Sequence, residues 1–148
     1  MLAIKISNPN DPSAYSIIEE LSQNLYERFG SDGKNSFTEW EYNNPKYLFV
    51  VAELNDEIVG CGAIRPLSDK TGEVKRMFAK YPRKSIGQSI LSFLEAKAKE
   101  LGYEELVLET RVKNKEGCSF YMNSNYIKTP NYGKYIGRLD AVCFQKLL

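Results

Sequence analysis

The 148-residue sequence predicts one α/β domain built on a mixed β-sheet. Three observations predict it. Strand-like runs interleave with segments whose apolar residues recur at helical spacing. The apolar runs YLFVVAEL (47–54) and IVGCGAI (58–64) flank Asn55-Asp56, a tight-turn pair, and read as a hairpin. GEVKRMFA (72–79) and ELVLET (105–110) flank a long amphipathic helix, which predicts two parallel strands joined by a right-handed crossover.

In chain order, Leu2 to Ile6 alternates and reads as the first strand. Asp11-Pro12 is a helix start, with Asp as N-cap and Pro in the first turn. Ile17, Leu21, Leu25 and Phe29 make one apolar face, and Gly30 closes the helix. Ser36 and Glu39 form a capping-box pair that predicts a short second helix through Tyr42. The hairpin supplies strands two and three, and Glu73 to Ala79 the fourth. The main helix runs from Ile86 to Leu101, with Ile90, Leu91, Leu94 and Ala98 on its apolar face and Gly102 as its stop. Glu105 to Thr110 is the fifth strand. Asn114 reads as the N-cap of a helix through Asn123, and Tyr126 to Thr129 and Ala141 to Lys146 as the last two strands.

Composition narrows the function. At 43% hydrophobic and 26% charged residues, with a net charge of +1, the chain carries no bulk field that favours nucleic acid or an anionic membrane. Its basic residues instead gather around positions 75 to 84, which points to a small anionic ligand. No apolar run approaches the ~20 residues that cross a bilayer. MLAIKIS lacks the pattern of a signal peptide. Three cysteines without metal-like spacing argue against a disulfide framework, so the expectation is a cytoplasmic protein with reduced thiols and no metal. Histidine is absent, which excludes Ser-His-Asp and Cys-His catalysis and leaves proton transfer to Glu, Asp, Tyr, Lys, Cys or water. Cys118, lacking a histidine partner, reads as a small helical hydrophobe rather than an acyl carrier.

The most informative stretch is GEVKRMFAKYPRKSIGQSILSFLEAKAKELG (72–102). A strand leads into a short basic loop, and a small-residue turn opens the main helix. Backbone N–H groups and the positive end of the helix dipole thus stand beside Arg83 and Lys84, with Lys80 just upstream, a place that suits a pyrophosphate.

Four segments, in order, resemble the GNAT family of N-acetyltransferases: CGAIRPL with GEVKRMF, SIGQSILSFLEAKAKELGY, LETRVKNKEGCSFYMNSNY and YGKYIGRLDAVCFQKLL. The resemblance covers nearly the whole chain. It implies a mostly antiparallel mixed sheet of roughly six to seven strands, a central parallel pair formed by strands four and five, and about four helices. The family's phosphate loop is written Q/R-x-x-G-x-G/A. Anchored on Gly87, this chain has Pro82 at the basic position and Ser85 at the middle glycine, in a shortened loop. Arg83 and Lys84 keep the positive charge, and the Ser85 hydroxyl has two uses, donating to a phosphate or capping the helix.

The resemblance implies acetyl-CoA as co-substrate and the primary amine of a small molecule as acceptor, with direct transfer in a ternary complex. Arg83, Lys84, Ser85, Ile86, Gly87 and Gln88 would hold the pyrophosphate. Backbone N–H groups at Met77, Phe78 and Ala79 would meet the developing oxyanion. Asn114 would serve as pantetheine ligand, helix cap or both. An alkyl ammonium, with a pKa near ~10.4, must lose a proton before it attacks. Glu73 matches the strand position of the family's base, and a surface ion pair with Lys75 or Arg76 is its other reading. Lys75 and Met77 should share the Glu73 face by the two-residue period. Tyr121 matches the general-acid tyrosine that protonates the departing thiolate; its alternative is a packed helical aromatic. Trp40, Arg65, Tyr132, Tyr135 and Arg138 fall in segments that border the acceptor, and an Arg suits an acceptor carboxylate such as that of an amino acid. A non-catalytic acyl-CoA-binding module, a protein N-terminal or lysine acetyltransferase and an interaction domain without a CoA site are the competing readings. A homodimer is one outcome for the oligomeric state.

Overall fold

The computed structural model describes residues 1–31, 33, 39–82 and 85–148. In chain order the elements are β1 (Leu2–Ser7), α1 (Pro12–Phe29), β2 (Leu48–Leu54), β3 (Glu57–Pro66), β4 (Thr71–Ala79), α2 (Ile86–Glu100), β5 (Glu105–Arg111), α3 (Lys115–Asn123), β6 (Ile127–Thr129), a 3-10 turn at Gly133–Tyr135 and β7 (Ala141–Leu147). The strands form one sheet in the order β1-β2-β3-β4-β5-β7-β6. Every neighbouring pair is antiparallel except β4 and β5, the predicted parallel pair.

Local chemistry sets the element ends. The Asp11 side chain accepts from the Ser13 N–H at 2.9 Å at the start of α1, and Gly30, at φ 77°, stops that helix by donating its N–H to Tyr26 O. Asn55 and Asp56 both take positive φ, as the two-residue hairpin turn between β2 and β3 requires.

The two faces of the sheet carry separate cores. On one, α2 buries Ile86, Ile90, Leu91, Leu94 and Ala98 against Val50, Ile64, Val74, Leu106 and Phe144. Each large side chain so buried contributes roughly 1.5–3 kcal/mol. The approach of α2 needs a bare backbone below it, because a Cβ on Gly62 would lie 2.7 Å from Ile90 Cγ2. On the other face α1 packs Ala14, Ile17 and Leu21 against Phe49, Val51, Cys61 and Ala63. No helix among the described residues is long and apolar enough to cross a membrane.

The short helix expected from Ser36 to Tyr42 begins outside the described residues, which resume at Glu39; Glu39 and Tyr42 stand in turns. Tyr47 donates to Glu41 Oε2 at 2.9 Å, and Asn44 Oδ1 accepts from the Lys46 N–H. Trp40 sits edge-on to Tyr47 and is buried under α1. The described residues therefore hold three α-helices and one 3-10 turn.

Candidate functional site

The parallel pair is short. β4 and β5 are in register only at Thr71–Glu105, Gly72–Leu106 and Glu73–Val107. Beyond Glu73, β4 stays with β3 and β5 stays with β7. The strands part, and a cleft of about 1090 Å³ opens between them. It runs from the start of α2 to the 3-10 turn, with the end of α1 and the start of α3 along its sides.

The freed edge of β4 is also bulged. One extra residue is inserted opposite Cys61–Ala63, and Arg76 takes φ 58°. Its side chain turns toward α1 and donates to Ser22 Oγ at 2.7 Å, while its carbonyl accepts from Cys61 Sγ. The bulge resets the alternation of the strand. Val74 and Met77 join the α2 core and Phe78 joins the α1 core. Met77 therefore does not share the Glu73 face, as simple alternation expects; Lys75 does, with its ammonium 3.8 Å from Glu73 Oε1. Met77, Phe78 and Ala79 all line the cleft.

At one end stand Ser85, Ile86, Gly87 and Gln88, in the first turn of α2. Ser85 makes no side-chain cap hydrogen bond. It adopts φ 56° instead, so it supplies the left-handed conformation that the missing glycine would give. A Cβ on Gly87 would stand in ordinary contact with the Phe120 ring, at 3.4 Å, so the glycine leaves the space of a side chain free between α2 and α3. Gln88 accepts from Ser124 Oγ at 3.0 Å and ties α2 to the end of α3. Lys80 is committed elsewhere: its ammonium lies 2.8 Å from Glu57 and 3.1 Å from Glu20, and the hydrogen bond to Glu57 leads in raising its pKa. Arg83 and Lys84 lie outside the described residues.

Asn114 and Tyr121 line the middle of the cleft. Asn114 Oδ1 caps α3 by accepting from the Gly117 N–H at 3.0 Å, and it also accepts from Arg28 at 2.9 Å, joining α1 to α3. Tyr121 is 9% exposed and packs edge-on to Phe120 and Tyr126. Burial alone raises its phenol pKa, so it holds its proton at neutral pH.

The far end is a charged network. Glu73 is 1% exposed. Arg65 Nε donates to its Oε1 at 2.8 Å and the Tyr132 hydroxyl donates to its Oε2 at 2.5 Å. Burial first, then the Glu73 charge, raises the Tyr132 pKa. Lys75, whose pKa burial lowers against the pull of Glu73, also reaches the Tyr135 hydroxyl at 3.5 Å. Of the residues expected at the acceptor, Tyr135 and Arg138 line the cleft, whereas Trp40, Arg65 and Tyr132 do not. Arg65 and Tyr132 hydrogen-bond Glu73, and Trp40 belongs to the α1 core. Arg138 pairs with Asp140 at 3.0 Å.

One carboxylate in the cleft was not anticipated. Glu109 lies on β5 two residues past the last β4 pairing, on the strand face opposite Leu108. Its Oε2 is buried and has no hydrogen-bond partner among the described residues. Burial raises its pKa. The sequence shows only a polar end to the alternating run ELVLET; that β5 leaves β4 just before Glu109 is a tertiary fact.

Known proteins are similar to this chain in sequence and fold. The family model for the acetyltransferase (GNAT) family matches residues 14–125. An IAA acetyltransferase of Azospirillum brasilense is 28% identical over 137 residues, covering 90% of this chain and 90% of that protein. A crystal structure of an acetyltransferase from Streptococcus agalactiae has a TM-score of 0.81 at 25% identity, covering 99% of this chain and 98% of that one. A GNAT family acetyltransferase from Elizabethkingia anophelis, solved with acetyl-CoA bound, shares the fold with a TM-score of 0.71 at 20% identity, covering 99% of this chain and 98% of that one. With most of its length matched by the family model and the parted β4–β5 pair at its centre, this chain belongs to the GNAT family of acetyltransferases.

Proposed function

We propose that the protein moves an acetyl group from acetyl-CoA to the primary amine of a small molecule, by direct attack within a ternary complex. The observation that carries this reading is the single continuous cleft that runs from the start of α2, past the freed β4 edge and Tyr121, to the carboxylates at its far end. The first-turn N–H groups of α2, with Ser85 in a glycine-like conformation, suit the pyrophosphate. Arg83 and Lys84 are proposed to add charge there.

The amine nitrogen attacks the thioester carbonyl, a C–N bond forms and the C–S bond breaks. Backbone N–H groups of Met77 to Ala79, on the strand edge released by β5, are proposed to stabilise the oxyanion. Tyr121 is proposed to give its proton to the departing thiolate and to recover one from the new amide nitrogen. An acyl-cysteine route has less support. The cysteines do not line the cleft, and burial pushes the Cys61 thiol up to about 12, where it is a poor nucleophile. Glu73 is proposed to organise the far end rather than take the proton, since both of its oxygens already accept from Arg65 and Tyr132.

Thiol release from acetyl-CoA, followed across free amino acids and aliphatic amines, tests the reading. Acceptor-dependent release that weakens in Tyr121→Phe supports it. Equal release with and without every amine, unchanged by Tyr121→Phe, overturns it.

A further inference from the structure

We propose that the acceptor is an amine that carries a carboxylate, and that Lys75 and Tyr135 receive this carboxylate at the far end of the cleft. The inference rests on the transferase reading above and names the substrate class of the same site.

Two donors without acceptors carry it. Both residues line the cleft. The Lys75 side chain is 11% exposed, and its ammonium has three protons to place. Its two nearest partners are distant: Glu73 Oε1 at 3.8 Å and the Tyr135 hydroxyl at 3.5 Å. Glu73 is already taken, since Arg65 and Tyr132 donate to its two oxygens. The Tyr135 hydroxyl accepts the long contact from Lys75, and its own proton meets no acceptor among the described residues. A buried ammonium and a buried phenol that lack close acceptors cost free energy, and one carboxylate, with an oxygen for each, relieves both.

The charges that face Lys75 favour an anion there. Glu73, Arg65, Lys134 and Glu109 all act on it. Arg65 balances Glu73, and Arg111 and Arg138 share Asp140. Lys134 lies over the Tyr135 ring, 5.5 Å from its centre, and forms no ion pair among the described residues. Glu109 reaches Lys75 through its field without an ion pair. Burial lowers the Lys75 pKa despite the pull of Glu73, and a bound carboxylate offsets that burial. Tyr135 keeps its proton to donate, because burial and then the Glu73 charge raise its pKa.

The same surroundings select a single charge. One ammonium and one hydroxyl match one carboxylate, and the Glu73 charge close by repels a doubly charged phosphate more strongly. Arg65, the carboxylate ligand that the sequence suggests, does not line the cleft.

Acetyl transfer to alanine, leucine and phenylalanine tests the assignment, each compared with its primary amide and its decarboxylated amine. The parent should favour the amino acids in kcat/KM by roughly 10- to 100-fold, mostly through KM, the worth of a charge-assisted hydrogen bond. Lys75→Met and Tyr135→Phe should raise the amino-acid KM and bring the ratio of amino acid to amide toward one. Lys75→Arg should keep part of the preference. Calorimetry on the chain saturated with desulfo-CoA should show the same order without turnover. Amides or amines that serve as well as the amino acids overturn the assignment. So does a Lys75→Met variant that weakens both classes equally, the mark of a lysine that only supports Glu73. Preference for 1-aminoethylphosphonate over alanine overturns the carboxylate in favour of a phosphate-like group. Acetyl-CoA binding to the parent, measured alongside, separates these failures from failure of the transferase reading.

Discussion

Arg65 decides between two accounts of the far end of the cleft. If it binds the acceptor, its removal raises the acceptor KM. If it holds Glu73, its removal costs stability first. In Arg65→Ala the buried Glu73 carboxylate loses a charge-assisted hydrogen bond of 2.8 Å. Breaking a buried ion pair costs ~3–5 kcal/mol, and a charged hydrogen bond contributes ~1.5–3 kcal/mol. The Arg65 side chain is 28% exposed, and Tyr132 and Lys75 remain beside Glu73, so the loss falls toward the lower figure. We expect about 2 kcal/mol in urea unfolding, a Tm lower by roughly 4–8 °C for a chain of this length. Glu73→Gln removes the charge that Arg65 serves. The double variant should then lose clearly less than the sum of the single changes, with a coupling of about 1 kcal/mol or more. Additive losses, or an unchanged Tm with a raised acceptor KM, would refute the reasoning.

Other expectations follow from the same geometry. Tyr121→Phe should lower kcat by about 10²-fold while acetyl-CoA affinity in calorimetry stays unchanged. Gly87→Val places a branched side chain in the first turn of α2, its Cβ 3.4 Å from the Phe120 ring, and should abolish acetyl-CoA binding without unfolding the chain in circular dichroism. Ser85→Gly should raise stability by about 0.5 kcal/mol, the relief of a left-handed serine less the entropy of an added glycine, as read in urea unfolding. Glu109 has a raised pKa in the folded chain, so folding favours its protonated form. Its favourable contribution is present at acid pH and is lost as pH rises through the folded value. Glu109→Gln should therefore melt higher than the parent at pH 7, with the gap closing near pH 4, about where an ordinary glutamate titrates.

How much of this the sequence disclosed depends on whether the cause was local. The caps of α1, the Asn55-Asp56 turn and the apolar stripe of α2 are set by neighbours within a few residues, and each is found where the sequence places it. Glu73 and Tyr121 lie in segments recognisable in the sequence, and both line the cleft. Ser85 was legible as a glycine replacement but not as a left-handed residue, since serine alone does not announce that conformation. The Arg76 bulge left no glycine to mark it, and without it the alternation misplaces Met77. Arg65 and Tyr132 read as acceptor ligands because their charge and aromaticity were visible, while the partner that claims them is separated by 8 and 59 residues. Glu109 stayed hidden for the same reason: its lack of a donor is a property of two strands parting, not of ELVLET.

The most direct test of the account is a calorimetric titration of the intact chain with acetyl-CoA, with desulfo-CoA as control. The cleft at the start of α2, with Ser85 standing in for the family glycine, predicts one site of micromolar affinity for both ligands, lost in Gly87→Val. No binding up to about millimolar, roughly −4 kcal/mol, would mean that this chain keeps the fold of its family without the ligand on which the chemistry depends.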